Sequence, residues 1–284
     1  MTGEGHGSPC LRPRPSSTAV RRLTAGRART RPAWPGEVAV VAFLLVVYDR
    51  ISDLAHVRVG SAVAHARALL SVERTVHLAV EEPLDHVAAA HPALGAGLAL
   101  YYDLAHVLVT TAVLVALYVV APAAYRRARS ALVLVNVVAL VVFVALPLAP
   151  PRLLPGAGFT DIVARSGTWS AWQSGPAVAA HANEYASMPS LHVAWALWVV
   201  LAVRASTARR LPARLAVTHL ALTVGVVLLT GNHYLLDAVA GALLTAACWA
   251  AVQRLGNRRD RFWRRAAPTG DRAEGRGVTG LAAG

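Results

Sequence analysis

The sequence predicts an all-α integral membrane protein: a bundle of six membrane-spanning helices with extra helices at the membrane interface. Two observations predict this fold class. Apolar residues make up 56% of the 284 residues, only 15% are charged and the mean hydropathy is +0.47, which is too apolar for a soluble domain. Several apolar stretches also approach the roughly 20 residues that a helix needs to cross a bilayer.

Six apolar segments are predicted to span the membrane, and charged or turn-forming residues separate them. In chain order the segments are Val38–Tyr48, Leu94–Val120, Ala131–Leu148, Pro189–Val203, Leu215–Thr230 and Tyr234–Val252. The first segment is short and is followed directly by Asp49 and Arg50. Between the first two segments, Ser61–Ala90 mixes polar and apolar residues, which predicts an interfacial helix pair broken near Pro83.

The amino-acid composition divides the chain into three predicted regions. Residues 1–35 are rich in Gly, Pro, Ser, Thr and Arg and are predicted to be a disordered cytoplasmic tail without a cleavable signal peptide. Residues 36–254 form the membrane domain, and residues 255–284 form a second disordered basic tail. Within the domain we expect short basic loops at Pro122–Arg129 and Arg204–Arg214 and a long polar loop at Ala149–Met188.

The basic residues predict the orientation of the bundle. A net charge of +13 could indicate nucleic-acid binding, but in a membrane protein it is better explained by cytoplasmic loops that collect arginine, so no nucleic-acid partner is expected. With both termini in the cytoplasm, 22 of the 28 arginines lie inside. The six outside are Arg50, Arg58, Arg67, Arg74, Arg152 and Arg165. This asymmetry predicts a multi-pass plasma-membrane protein whose long loop faces away from the cytoplasm.

Three polar clusters lie at span boundaries on that outer face. They are Pro150-Pro151-Arg152, then Ser190 with His192, and finally the turn of Asn232 and His233 with Asp237. His233 and Asp237 are four residues apart, so on a helix they share a face. An aspartate placed there can fix the tautomer of the imidazole and leave its other nitrogen free to attack.

The three clusters together favour phosphoryl transfer. An arginine matches phosphate oxygens, a helix N-terminus at Ser190 offers N–H groups to an anion, and two histidines can serve as nucleophile and acid. Taken singly, each cluster has a simpler interpretation: an interfacial histidine, a helix cap, a turn or a structural ion pair. A metal site would need further ligands, so neither a metal nor another cofactor is expected.

Two motifs carry a resemblance to a known family. The sequence resembles the type 2 phosphatidic acid phosphatase superfamily in these motifs, EYASMPSLHVAWAL and TGNHYLLDAVAG, and in the stretch that ends in LAPPRLLPGAGFTD. Within it, the sequence is most similar to the aureobasidin-target branch of inositol phosphorylceramide synthase-like phosphotransferases. The resemblance covers about half the chain and implies a six-helix fold of the lipid phosphate phosphatase type, with an active site on the non-cytoplasmic face.

The resemblance also implies roles for five residues. His233 would be the nucleophile that forms a phosphohistidine, and Asp237 would orient it. His192 would be the acid for the departing alcohol and then the base for the acceptor. Arg152 would bind phosphate, assisted by the hydroxyl or backbone N–H of Ser190. In YYDLAH, His106 and Asp103 are expected to line the pocket, although a helix–helix hydrogen bond is the alternative.

The sequence departs from the wider superfamily at several positions. It contains no Lys to precede the first motif, its order there is Pro-Pro-Arg, and Leu191 stands where Gly is commoner. The segment before the third-motif histidine, GVVLLTG, contains no Arg. Fewer cations therefore neutralise the phosphate, and Arg165 in the same outer loop is a candidate substitute. Asp161 is interpreted as a residue that structures the loop.

The predicted activity is phosphoryl transfer from a lipid phosphate or phosphodiester among the membrane lipids. The acceptor would be water, as in a phosphatase, or an alcohol such as inositol, as in a transferase. The alternative from another class is a polytopic transporter or lipid-carrier binding protein that uses its buried His and Asp as a proton relay. Such a protein predicts inverted-repeat symmetry between its halves, which the sequence does not display.

Overall fold

The chain folds into helices joined by short links. The structure is a computed structural model that describes residues 31–55, 58–166 and 185–266. Among these residues the only β pairing is an isolated bridge between Leu148 and Ala186, which confirms the all-α prediction. The helices are α1 Trp34–Ala55, α2 Val59–Thr75, α3 Glu81–Ala90, α4 Pro92–Val120, α5 Pro122–Ala145, α6 Ile162–Ser166, α7 Leu191–Ser206, α8 Arg210–Leu229 and α9 Leu235–Ala266.

Four of these helices are long and apolar enough to cross a membrane. They are α4, α5, α8 and the part of α9 from Leu235 to Phe262, and they indicate a membrane protein. Two shorter apolar helices, Trp34–Leu44 within α1 and the whole of α7, correspond to the first and fourth predicted spans. The number of six spans therefore stays a prediction.

The expected basic loop at Pro122–Arg129 is wrong, because this segment is helical. Pro122 occupies the first position of α5, where its fixed φ favours a helix and its missing N–H costs nothing. Ala121 alone separates α5 from α4, and Arg129 in the second turn of α5 pairs with Glu37 of α1 at 3.2 Å. The second basic loop is likewise shorter than expected, since only residues 207–209 link α7 to α8.

The break in the predicted interfacial pair lies before Pro83. Helix α2 ends at Thr75, residues 76–80 turn, and α3 begins at Glu81, so Pro83 lies within the first turn of α3, where proline is tolerated. The buried residues of α2 fall on one face, with a spacing close to one helical turn. They are Ala62, Ala66, Leu70 and Glu73. This face packs against Leu148, Leu154 and Tyr234, so α2 covers the loop that leaves α5 and the start of α9.

Helix α7 lies at the centre of the packed bundle. It packs against α4, α5 and α8, and seven of its residues are buried. Trp198 is completely buried and donates its indole N–H to the carbonyl oxygen of Ala128 at 2.8 Å, which ties α7 to α5. The hydroxyl of Thr245 donates to the carbonyl oxygen of Ala194 at 3.0 Å and ties α7 to α9. These contacts fix the start of α7 beside the start of α9.

Packing divides the chain into two compact units. The first, Arg31–Leu255, contains every residue discussed below. The second combines Met1–Thr30 with Gly256–Gly284, and there the structure describes the last helical residues, 256–266. Most of the predicted tails, residues 1–30 and 267–284, lie outside the described residues, as do residues 167–184 of the long loop.

Candidate active site

His233 lies in the turn before α9 and is held at one ring nitrogen. Its Nδ1 is 3.5 Å from Oδ2 of Asp237 and 3.2 Å from the hydroxyl of Ser187. Ser187 in turn donates its hydroxyl hydrogen to Oδ2 of Asp237. All three side chains are buried. The simplest assignment of protons runs from Nδ1–H of His233 to the oxygen of Ser187 and from the Ser187 hydroxyl to Asp237.

That proton assignment leaves Nε2 of His233 with its lone pair. Nε2 is buried and makes no hydrogen bond to any described residue. Asp237 also accepts the backbone N–H of Tyr234 at 3.1 Å, so its carboxylate caps the start of α9, where negative charge is favourable. The aspartate therefore orients the histidine and fixes the helix end at the same time.

His192, in the first turn of α7, faces His233. The two ring centroids are 5.6 Å apart. The other side of His192 is covered by α4: Tyr102 stacks on it at 4.1 Å, and His106 meets it edge-on, also at 4.1 Å. Nε2 of His192 is buried without a hydrogen-bond partner among the described residues. The two imidazole rings thus face each other, and each is contacted on its other side by neighbouring side chains.

The two residues predicted on α4 occupy different positions relative to this pair. Nδ1 of His106 is 2.9 Å from the carbonyl oxygen of Tyr102, and its ring also lies 5.6 Å from that of Trp195, so His106 forms part of the wall around His192. Asp103 lies half-buried on the same helix, directly after Tyr102. His106 is thus the second neighbour of His192 on α4.

Ser190 joins the starts of α7 and α9. It is the N-cap of α7, and its hydroxyl oxygen accepts the N–H of Val193 at 3.4 Å. Its own backbone N–H donates to the carbonyl oxygen of Asp237 at 3.1 Å. Gly241, one turn further along α9, permits this approach, because a Cβ at that position would overlap the carbonyl oxygen of Ser190. The start of α7, which carries His192, and the start of α9, which follows His233, are therefore in direct backbone contact.

Arg152 lies in a 3-10 turn, Pro151–Leu153, and is tied to the turn that carries His233. Its backbone N–H donates to the carbonyl oxygen of Gly231 at 2.9 Å, and its Nε donates to Oδ1 of Asn232 at 3.0 Å. Its Nη1 forms an ion pair with Oδ2 of Asp161 at 2.6 Å, and the arginine side chain is only 8% exposed. The guanidinium group is thus aimed by an amide on one side and a carboxylate on the other.

Asp161 and Arg165 come from the loop that ends in α6. Asp161 structures this loop, as expected, because its Oδ1 accepts the N–H of Ala164 at 2.9 Å. Its pairing with Arg152 was not predicted. Arg165 lies on an exposed position of α6, where its charge acts on Asp85. Asp85 accepts the N–H of Thr160 at 2.8 Å, and burial raises the pKa of its carboxyl group.

Gly231 allows the Arg152 turn and the His233 turn to meet. Its φ is +60°, in the left-handed region that favours glycine. A Cβ there would lie 3.0 Å from Oδ1 of Asp85 and 3.6 Å from Cβ of Arg152. A larger residue would therefore be strained at this φ and would press on the carboxylate of Asp85.

The residues that sequence reasoning missed are chiefly those that act through another residue. Ser187 stands in the same motif as Ser190 and His192, but its partners His233 and Asp237 are 46 and 50 residues away. A hydroxyl three residues before an N-cap is a local signal, yet nothing in the spacing indicates which distant group it contacts. The burial of Glu73 and Glu81 was also not predicted, because a glutamate in a mixed segment is usually solvated.

The assembled groups can perform nucleophilic displacement at an anionic centre. One imidazole nitrogen is free to attack, a second imidazole can move a proton, and a guanidinium group can balance negative charge. Within the described residues, no group of three or more His, Cys, Asp or Glu side chains is arranged to hold a metal ion.

Comparisons with known proteins agree with this chemistry. A family model described as the PAP2 superfamily matches residues 67–251, which is more than half of the 284 residues. The matched region includes every residue of the candidate site described above. Neither the curated proteins nor the solved structures give a match.

Proposed function

Because the chain belongs to the PAP2 superfamily, we propose that it transfers a phosphoryl group from a membrane lipid phosphate or phosphodiester through a phosphohistidine on His233. The superfamily consists of phosphatases and phosphotransferases, and four apolar helices indicate a membrane protein. The observation that carries the proposal is the geometry of His233: its Nδ1 is held by Ser187 and Asp237, and its ring lies 5.6 Å from that of His192.

In the first half-reaction, the lone pair on Nε2 of His233 attacks phosphorus, and the bond from phosphorus to the leaving oxygen breaks. His192, on the opposite side of the space, delivers a proton to that oxygen. The positive charge that develops on the His233 ring is balanced by Asp237 through Ser187 and by the close approach of the carboxylate itself.

In the second half-reaction, His192 removes a proton from the acceptor. The acceptor oxygen attacks phosphorus and the phosphorus–nitrogen bond breaks, which returns His233 to its starting form. From a lipid phosphomonoester, water as the acceptor gives free phosphate and an alcohol gives a new phosphomonoester. From a phosphodiester, whose second ester stays on phosphorus, water gives a phosphomonoester and an alcohol gives a new phosphodiester. The proposal includes the aureobasidin-target branch, in which inositol would be that alcohol.

Arg152 is the group best placed to bind the phosphoryl oxygens. Its guanidinium group is held in orientation by Asn232 and Asp161. Phosphate oxygens would then take over the N–H hydrogen that Asp161 now accepts. The hydroxyl hydrogen of Ser190 and the N–H groups of Leu191 and His192 in the first turn of α7 would supply further donors. Asp161 would thus hold the arginine ready and also compete with the substrate for it.

The proposed location is the extracytoplasmic face of the plasma membrane, with both termini in the cytoplasm. The support comes from the arginine count, 22 of 28 on the side that the tails occupy. Cysteine-accessibility labelling tests this orientation, with one cysteine introduced at exposed Arg165 and another at exposed Arg209. Labelling of intact cells at position 209 alone would contradict it.

The experiment that tests the activity uses purified protein with a panel of lipid phosphates and phosphodiesters, with and without inositol. Free phosphate and new lipid phosphodiester are both measured. With radiolabelled substrate, we expect the wild-type protein to carry an acid-labile label. His192→Ala should acquire the label more slowly, because it lacks the acid of the first half-reaction, and His233→Ala should carry none. His91→Ala, a change at an exposed histidine, is the matched control.

Two results would overturn the proposal. Equal turnover in wild type, His233→Ala and His192→Ala would remove both histidines from the mechanism. Uptake of a lipid that changes in His233→Ala without any lipid phosphate turnover would favour the transporter alternative.

A further inference from the structure

Two glutamates that the proposed reaction does not use are completely buried next to His233. Glu73 lies near the end of α2 and Glu81 begins α3, and both have no exposed surface. Their side chains lie within hydrogen-bonding reach of each other. Neither oxygen of Glu81 accepts a hydrogen bond from any N–H or O–H group of the described residues, and Oε2 of Glu73 accepts none. Two buried carboxylates in contact repel each other, whereas a proton between them supplies the missing donor.

The pair is attached to the helix end that carries the candidate nucleophile. Oε1 of Glu73 accepts the backbone N–H of Leu236 at 2.8 Å. Leu236 is the second residue of α9 and lies between His233 and Asp237 in the chain. Glu73 therefore satisfies one of the N–H groups that a helix start leaves without a partner inside the helix.

Among the described residues, the titratable groups that act on Glu73 are acidic or neutral. From α3 comes Glu81, from α9 comes Asp237, and from the turn before α9 comes Tyr234. Tyr234 is completely buried, and its hydroxyl has no hydrogen-bond partner among the described residues. Burial, together with the contact to Glu81, raises the pKa of Glu73 to about 8.

We propose that Glu73 and Glu81 share one proton, that this protonated pair positions the first turn of α9, and that loss of the proton switches the site off. The proposal rests on the proposed function and adds its regulation by pH. When the shared proton leaves, the charge of the pair changes from −1 to −2 beside the carboxylate of Asp237. The repulsion acts on α9 and disturbs the Ser187–Asp237–His233 contacts. Glu73 and Glu81 are positioning residues, since neither touches the space between the two histidines.

Infrared difference spectroscopy of the purified protein detects the shared proton, and this measurement does not depend on enzyme activity. We expect the C=O stretching band of a protonated carboxyl group to disappear as the pH rises through about 8. The band should be absent in Glu73→Gln and in Glu81→Gln. Glu82→Gln is the matched control: this glutamate adjoins Glu81 but is partly exposed and paired with Arg74 at 3.0 Å, so its variant should retain the band.

The pH profile of kcat/KM then tests the coupling to the site. In the wild type and in Glu82→Gln we expect kcat/KM to fall about tenfold per pH unit once the pH exceeds the pKa of Glu73, which is about 8. In Glu73→Gln the amide oxygen can still accept the Leu236 N–H, so the variant should fold and the alkaline fall should flatten. Glu73→Ala loses this acceptor and should be impaired at every pH.

The outcomes separate the two proposals. A missing band in the wild type, or a band unchanged in both glutamine variants, overturns the shared proton. The coupling between the shared proton and the active site is overturned by a different result. In that result the carboxyl band is present and titrates, but kcat/KM falls identically at alkaline pH in the wild type and in Glu73→Gln. A protein without any phosphoryl-transfer activity contradicts the proposed function, and the infrared result still decides the shared proton.

Discussion

Gly241→Ala is predicted to force α7 and α9 apart and to slow catalysis strongly. A Cβ at this position would overlap the carbonyl oxygen of Ser190 and would lie 3.2 Å from its carbonyl carbon and 3.4 Å from its amide nitrogen. All three atoms belong to the backbone, so no side-chain rotation relieves the overlap. One helix start must move by roughly 1 Å to reach a normal van der Waals separation.

The size of the loss in kcat/KM follows from the catalytic candidates next to these two helix starts, His192 at α7 and His233 with Asp237 at α9. Overpacking of this kind costs about 1–3 kcal/mol of stability. A misplacement of about 1 Å between reacting groups costs about 10²-fold in rate. Because Ser190 precedes His192 and Gly241 follows Asp237 by one turn, we expect kcat/KM to fall by about 10²-fold.

The assay is release of phosphate or formation of phosphodiester by the purified variant, with its thermal unfolding measured in parallel. Gly225→Ala on α8 is the control, because a Cβ there meets nothing within 4 Å. That control should keep the wild-type kcat/KM and gain up to about 1 kcal/mol of stability from the higher helix propensity of alanine. Wild-type kinetics in Gly241→Ala, or an equal loss in both variants, would refute the reasoning.

Four further outcomes are expected. Ser187→Ala should lower kcat by about 10- to 100-fold with little change in KM, because it removes the bridge between His233 and Asp237; an unchanged kcat would contradict this role. Asp161→Asn should lower KM by about fivefold, since an amide still aims Arg152 without neutralising it; a higher KM would show that the charge itself is needed. The free energy of unfolding should decrease as the pH rises from about 4.5 to about 8, because burial raises the pKa of Glu73 in the folded state and the unfolded chain gives up the proton first. Glu73→Gln should flatten this slope, and an equal slope in both proteins would argue against it. Vanadate, which can mimic the five-coordinate phosphoryl group, should inhibit turnover; full activity in excess vanadate would contradict a phosphohistidine path.

Hydropathy was sufficient to predict the helices but not their ends. The apolar stretches correspond to α1, α4, α5, α7, α8 and α9. The error at Pro122 arose because a basic segment after a span is usually a loop, whereas here Pro122 restarts the helix after a single residue. Helix ends depend on capping and packing, and arginine is a good helix former, so charge alone does not locate them.

The candidate site could be predicted where one short motif contains both partners. His233 and Asp237 are one helical turn apart, and the cap at Ser190 is local. The contacts of Ser187, Asp161 and Glu73 join segments that are distant in the chain. Glu73 in particular stands in a mixed segment, and its burial depends on the packing of α2 over the start of α9.

The length of α7 has a consequence for the membrane around it. Its 16 residues rise about 24 Å, whereas the hydrocarbon core of a bilayer is about 30 Å thick. If Arg204 lies at the cytoplasmic surface, His192 lies about 18 Å away along the helix and so about 12 Å below the outer boundary of the hydrocarbon. This hydrophobic mismatch is met by local thinning of the bilayer or by a water-filled depression above α7. Under the proposed function, either arrangement would let a lipid of the outer leaflet bring its phosphate to His192 while its acyl chains stay in the membrane.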